Sequence, residues 1–284
     1  MGFSVKELKY KTKYLIYLAE EQHTGTWFSF KIRLKGQKFP ILFHNVEPTP
    51  IFRLVNSKKG TTINRITLDF DIKRYLLKNY EFSDELDDLK DSLGTRLYID
   101  IFKYSESPYL IAYFTLKNIS DYELLDFSMY FIFDFDINGL QGFDTDVSDY
   151  DEDEDILYQY DNTGVHGGLS SISKPTHYET TLTNEFNLDK DHLILSNSLV
   201  KEPGEILSAL QIKFQDLSPN QSFQTAIILS GGLSKEELFE NIKKGKNNAI
   251  RYAKQVNRSI KSEERNSQEK AFEDLNKKES KGCD

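Results

Sequence analysis

The chain has 284 residues and a formal net charge of −9, with 29% charged and 38% hydrophobic residues, 20 Phe and 16 Tyr. That much aromatic surface offsets chain entropy and excludes a disordered chain, while 15 Gly and 7 Pro exclude collagen and Pro-rich linkers. The single Cys283 excludes an intramolecular disulfide, and the apolar runs at 14–19 and 129–133 are far shorter than the roughly 20 residues of a membrane-spanning helix, so the expected location is the cytoplasm, with no membrane partner.

Segments rich in β-branched and aromatic residues predict strands over 13–19, 27–34, 51–55, 61–72, 95–104 and 109–117. Turn residues punctuate them, and Ser105-Glu106-Ser107-Pro108 reads as a hairpin connection. One helical interlude is expected at 71–91. The strongest period-two signal lies at 127–136. There Phe127, Met129, Phe131, Phe133 and Phe135 share one face, and Ser128, Tyr130, Ile132, Asp134 and Asp136 share the other. The Phe face must be core.

From Asn118 to Ser173 there is no Lys or Arg, and 14 acids crowd the stretch. Removing those fourteen charges from the net −9 leaves the rest of the chain at +5. Such a local field repels phosphate and argues against nucleic acid. It suits a divalent cation or a basic partner, or else is a solvated acidic loop. Strands then resume at 156–160, 166–172, 177–183, 206–214 and 223–229. Gly231-Gly232 is expected to break the last of them. Ser234 with Glu237 forms a capping box for a helix over 234–254, and beyond 261 apolar content collapses into a frayed or disordered tail. The resulting division is a β-domain over 1–232, a helix packing on it over 233–260, and the tail over 261–284. About a dozen strands without alternating helices predict a mainly β fold, a large antiparallel sandwich or barrel with a C-terminal helical extension.

Asp134-Phe135-Asp136-Ile137-Asn138-Gly139 matches the opening of the calcium-loop pattern. Alternate oxygens on a turning loop converge on one centre, and Gly139 permits the turn. Thr145 stands where an EF-hand needs its bidentate Glu, so an EF-hand is excluded. A strand-end calcium site would use Asp134, Asp136 and Asn138, closed by Asp144, Asp146, Asp149 or Asp151; the alternative is an Asn-Gly turn following two surface aspartates. No His pair has zinc spacing. His177 and Glu179, two apart on one strand face, are a candidate pair for acid–base work. Gly164, Gly167 and Gly168 flank His166, but no helix start follows to make a phosphate loop. The lone Trp27 is read as core. The sequons at Asn118, Asn220 and Asn257 are read as chance.

Three passages carry a family resemblance: TRLYIDIFKYSESPYLIAYFTLKNISDYELLDFSMYFIFDFDING, LSALQIKFQDLSPNQSFQTAIILSGG and LSKEELFENIKKGKNNA. Their order of strand, Asn-x-Ser-Asp step, aspartate-rich loop, late strand pair and departing helix is similar to the N-terminal β-sandwich of glucoamylase-type glycoside hydrolases, in the galactose-mutarotase-like supersandwich group. The resemblance spans residues 11–255. It implies a supersandwich and a carbohydrate context. The family's catalytic glutamates belong to an α/α barrel that this chain does not contain, so none transfers. Three readings follow: a non-catalytic module binding a carbohydrate or protein, with a calcium-stabilised loop; a mutarotase-type enzyme using His177 and Glu179 or another His/acid pair; and a structural subunit docking through its helical tail.

Overall fold

The computed structural model describes residues 7–17, 27–34, 40–44, 52–59, 63–70, 94–103, 107–139, 142, 144–188 and 193–256. The expected helix at 71–91, the tail beyond 261 and the side chain of Trp27 lie outside the described residues. Among the described residues there are fifteen strands: β1 (Glu7–Tyr10), β2 (Lys13–Tyr17), β3 (Trp27–Leu34), β4 (Ile41–His44), β5 (Phe52–Lys59), β6 (Ile63–Phe70), β7 (Thr95–Lys103), β8 (Tyr109–Asn118), β9 (Leu124–Asp134), β10 (Val147–Asp151), β11 (Ile156–Tyr160), β12 (His166–Ser171), β13 (His177–Leu182), β14 (Ile206–Lys213) and β15 (Ser222–Gly232). They form an eight-stranded sheet, β10-β11-β12-β15-β8-β7-β6-β5, a five-stranded sheet, β13-β14-β9-β3-β4, and the β1-β2 hairpin. Every pairing is antiparallel.

The two large sheets bury their apolar faces against each other, as the mainly β sandwich expectation required. Phe28 and Phe30 of β3 and Phe127, Met129, Phe131 and Phe133 of β9 share one core with Leu97 and Ile99 of β7, Phe114 and Leu116 of β8 and Ile227 and Leu229 of β15. Edge-to-face ring pairs tie the layers: Phe28–Phe114 at 5.6 Å, Phe30–Phe70 at 5.3 Å and Phe114–Phe131 at 5.0 Å. The other face of β9 is buried too. Tyr130 and Ile132 pack with Leu42, Leu188, Leu195, Leu207 and Ala209, and Phe186 and Leu193 pack against this cluster. The alternation in β9 is one of chemistry, not of exposure.

The segment from 193 to 204 continues past two sheet edges. It receives the Thr180 N–H at Ser198 O and donates Asn197 N–H to Tyr178 O along β13, then receives Ser148 N–H at Val200 O and donates Gly204 N–H to Asp146 O beside β10.

Three strands were not foreseen: β1, β4 and β10. Strand β10 lies inside the acidic stretch, so Asp149 and Asp151 are strand residues rather than loop residues. Gly231 and Gly232 do not break β15 either. They pair with Gly167 and His166 of β12, since backbone hydrogen bonds need no side chain. The chain divides into two compact units, Met1–Lys246 and Asn247–Asp284. A helix begins at 235, and its part up to 246, α1, belongs to the first unit; in the second unit the described residues 247–256 are helical.

The predicted capping box opens α1: Glu237 N–H donates to Ser234 Oγ, and Leu233 N–H donates to Glu237 Oε2. Leu238 and Ile242 are fully buried on the outer face of the eight-stranded sheet. Glycines set the approach. A Cβ on Gly232 would lie 2.4 Å from Leu238 N, and one on Gly245 would lie 2.5 Å from Ile228 Cγ2.

Candidate functional site

The acidic stretch separates into two places with different chemistry. The first is the β10–β11 turn, and its partner is internal. Lys243 pairs with Glu154 at 2.7 Å, Lys235 approaches Asp151 at 3.7 Å, and Lys246 Nζ donates to the Glu154 carbonyl at 2.5 Å. One face of α1 is therefore the basic partner that this charge run called for. Burial lowers the Lys246 ammonium's pKa, against the opposing pull of Asp155 and Glu154.

The second place is the end of β9. Asp134, Asp136, Asp146 and Asp161 are all buried there, Asp146 completely. Asp161 organises the turn before β12: its Oδ1 accepts Thr163 N–H and Thr163 Oγ1–H, and its Oδ2 accepts Asn138 Nδ2–H. Asp146 Oδ2 accepts Ile137 N–H, and its Oδ1 is enclosed with no hydrogen-bond partner. Burial, with Asp161, Asp136 and Asp134 adding to it, pushes the Asp146 carboxyl up to about 9.

Of the five residues expected to ligate calcium, Asp134, Asp136 and Asp146 are buried in this cluster, Asn138 turns its amide nitrogen toward Asp161, and Asp144 is exposed. Among the described residues, no group of three or more His, Cys, Asp or Glu is arranged to hold a metal ion. Asp161 is the member that spacing did not suggest, since it enters from 23 residues beyond Asn138.

His177 and Glu179 do share a face of β13, opposite Gln211 and Ala209 of β14. The intervening Tyr178 points the other way and stacks on Tyr150 at 3.9 Å. Glu179 Oε2 accepts Ser196 N–H at 2.7 Å, so the covering segment already uses the carboxylate. His177 Nδ1 is enclosed without a hydrogen-bond partner.

A third constellation went unread in the sequence. Tyr158 and Tyr160 of β11 stand beside His166 of β12 on the outer face of the eight-stranded sheet. Tyr160 and His166 are a cross-strand pair, with rings 5.2 Å apart and 18° from parallel. Tyr158 is buried beneath Phe239 at 5.5 Å, with Lys235 Nζ over both rings. The signal was the Tyr-x-Tyr alternation of β11, which puts two rings on one face; pairing them with His166 needed the register.

No family model matches this chain, and no curated protein matches it. Solved structures do resemble it. A bacterial glucoamylase determined in complex with acarbose is similar over 81% of this chain and 30% of its own, at 14% identity and a TM-score of 0.51. A GalM/aldose epimerase homologue from C. elegans aligns over 72% of this chain and 78% of its own, at 7% identity and a TM-score of 0.42. A protein of Escherichia coli K12 named as an aldose 1-epimerase covers 81% and 92%, at 9% identity and 0.46. The chain thus spans less than a third of the glucoamylase. At 14% identity the glucoamylase likeness is one of fold alone.

Proposed function

We propose that this chain is a non-catalytic β-sandwich module working in a carbohydrate context. The observation that carries the non-catalytic part is the use of Glu179 by Ser196 N–H under a segment that also closes the outer face of the five-stranded sheet. A general base must reach the proton it removes, and this carboxylate is already hydrogen-bonded within the fold. The carbohydrate part is supported by the glucoamylase likeness and its bound acarbose.

The test is binding of the full chain to an array of neutral oligosaccharides, with calcium and with chelator, beside NMR of anomer exchange in a panel of aldoses. Glycan binding without accelerated exchange is expected; an array with no bound glycan overturns the reading. The competing mutarotase reading draws on one observation, the enclosed and unpartnered Nδ1 of His177. Exchange that is accelerated by the wild type and lost in His177→Ala would establish it.

A further inference from the structure

We infer that Lys31, Ser128 and Lys213 form a binding site for a small oxyanion on the outer face of the five-stranded sheet, a site that stands independently of the carbohydrate reading. Register brings the three together. Lys31 of β3 and Lys213 of β14 are both Cα partners of Ser128 in β9, so they lie in one row across the sheet. Phe30, Ile32, Met129 and Ile212, their neighbours in sequence, belong to the core between the sheets, so this row faces outward. Tyr130 is the next residue of β9 on that face, and the covering segment meets it through Leu193 O. Lys213, one step farther along, is exposed, so the row opens to solvent beyond that segment.

The floor of the row lacks a partner. Ser128 is fully buried, and its Oγ has no hydrogen-bond partner. The Tyr130 phenol lies close enough to sense it, but gives its own hydrogen to Leu193 O at 2.6 Å. A buried hydroxyl without a partner forfeits its hydration, and a ligand oxygen placed over it restores what was lost.

The walls carry charge in an unusual place. Lysines commonly guard sheet edges against strand addition, but β3, β9 and β14 are the three inner strands of this sheet. Neighbouring strands lie about 4.8 Å apart, so the two lysine backbones stand on the order of 10 Å apart, and their flexible stems can converge over Ser128. Lys31 is half-buried, and among the described residues neither ammonium is in an ion pair. Burial lowers the Lys31 ammonium's pKa and repulsion from Lys213 lowers it further, while Asp126 pulls the other way. That carboxylate is committed elsewhere. Asp126, at φ 49, sits at the register shift between β3 and β9, and its Oδ2 accepts from Arg33 Nε at 2.6 Å. Its N–H goes to Asp216 Oδ1.

One oxyanion satisfies all three groups, since it neutralises both ammoniums and accepts from the hydroxyl. A cation would be repelled by both lysines, and a neutral sugar would leave their repulsion in place. Inorganic phosphate, a hexose phosphate and a uronic acid share the required chemistry.

The full chain is titrated by calorimetry with inorganic phosphate, a hexose phosphate and glucuronate, at fixed ionic strength in chloride, with neutral glucose as control. Lys31→Met, Lys213→Met and Ser128→Ala are compared with wild type. Lys58→Met, exposed on β5 of the other sheet, controls for net charge. At least one oxyanion is expected to bind and to raise the melting temperature. Its affinity should fall about tenfold in each of Lys31→Met and Lys213→Met and about threefold in Ser128→Ala, while Lys58→Met binds as wild type. Without the anion, Ser128→Ala should melt no lower than wild type, because its hydroxyl has no bond to lose. Lys213 is exposed, so its variant tests the site even if Lys31→Met loses stability. Tighter binding of the hexose phosphate or glucuronate than of phosphate assigns the site to an acidic sugar, and equal binding assigns it to the free anion. No binding of any of the three, or equal weakening in Lys58→Met and Lys213→Met, overturns the site.

Discussion

Asp146 shows how a single side chain constrains the solution behaviour of the protein. In the unfolded chain its carboxyl ionises at its ordinary 3.8, and in the folded chain at about 9. Across that window the native state holds a proton that the unfolded state has lost. Stability therefore falls as pH rises from about 4 toward 9 and levels off above it. Asp146→Asn removes the titrating group and places an N–H where the neutral acid has its O–H. Denaturant melts at pH 5 and pH 8.5 should show the variant with a flatter pH dependence, and more stable at pH 8.5 by about 1–3 kcal/mol, the cost of an unsatisfied buried polar group. An unchanged slope would assign the pH dependence to other groups.

Asn118 makes a second residue-scale case. It is fully buried, its Nδ2 donates to Tyr122 O and Leu217 O, and its Oδ1 accepts Ser120 N–H and Oγ–H. Reading that sequon as chance agrees with the burial, which leaves no room for a glycan. Asn118→Ala should cost about 2–4 kcal/mol, measured by urea denaturation, because two carbonyls lose their donors. Little of this was legible in advance: Asn-Ile-Ser looks like a surface turn until β8 and the 217–221 turn are brought together.

At the scale of elements, strand existence was readable wherever period two ran with aromatic residues. Strands β3 and β11 begin and end where the alternation does. Strand β10 was hidden because Val-Ser-Asp-Tyr-Asp reads as an acidic loop; its pairing with β11 outweighs the poor strand propensity of aspartate. The helix start was legible from Ser234 and Glu237, whereas its seat was not, since that depends on small residues far apart in sequence. Gly232→Ala tests the seat. The added methyl meets the backbone of Leu238 and the carbonyl of Ser234 at 2.7 Å, neither of which can swing aside. A loss of about 1–3 kcal/mol in thermal or urea melts is expected.

The lysines of α1 should rank by burial. Lys243 is exposed and its pair with Glu154 is screened, so Lys243→Ala should cost little, and less still in high salt. Lys246→Ala should cost more, about 1–2 kcal/mol, since it leaves the Glu154 carbonyl without its donor. Equal costs for the two would remove the ranking.

For the whole molecule, two sheets around a phenylalanine core followed from composition and alternation, because apolar area on one side of each strand can be hidden only against another sheet. Which face carries a site did not follow. The expected acid–base pair lies beneath a covering segment, Asp151 and Glu154 of the acidic run are matched by α1, and the aromatic row with His166 emerges only from the β11–β12 register. Spacing along a strand reports shared faces, but not what the rest of the chain lays across them.

That covering segment has a consequence for colloidal behaviour. Between 197 and 204 it occupies backbone groups of β13 and β10, an edge strand of each sheet, which would otherwise be templates for strand addition by another copy. The segment is irregular chain, with exposed Ser196, Asn197 and Ser198, so a protease can reach it where it cannot reach the strands beneath. A single nick there should leave the sandwich folded while baring both edges. Nicked protein held at native temperature should then form thioflavin-binding polymer that intact protein does not. If it stays monodisperse by light scattering, the edges are guarded by their own charge, and the segment serves packing alone.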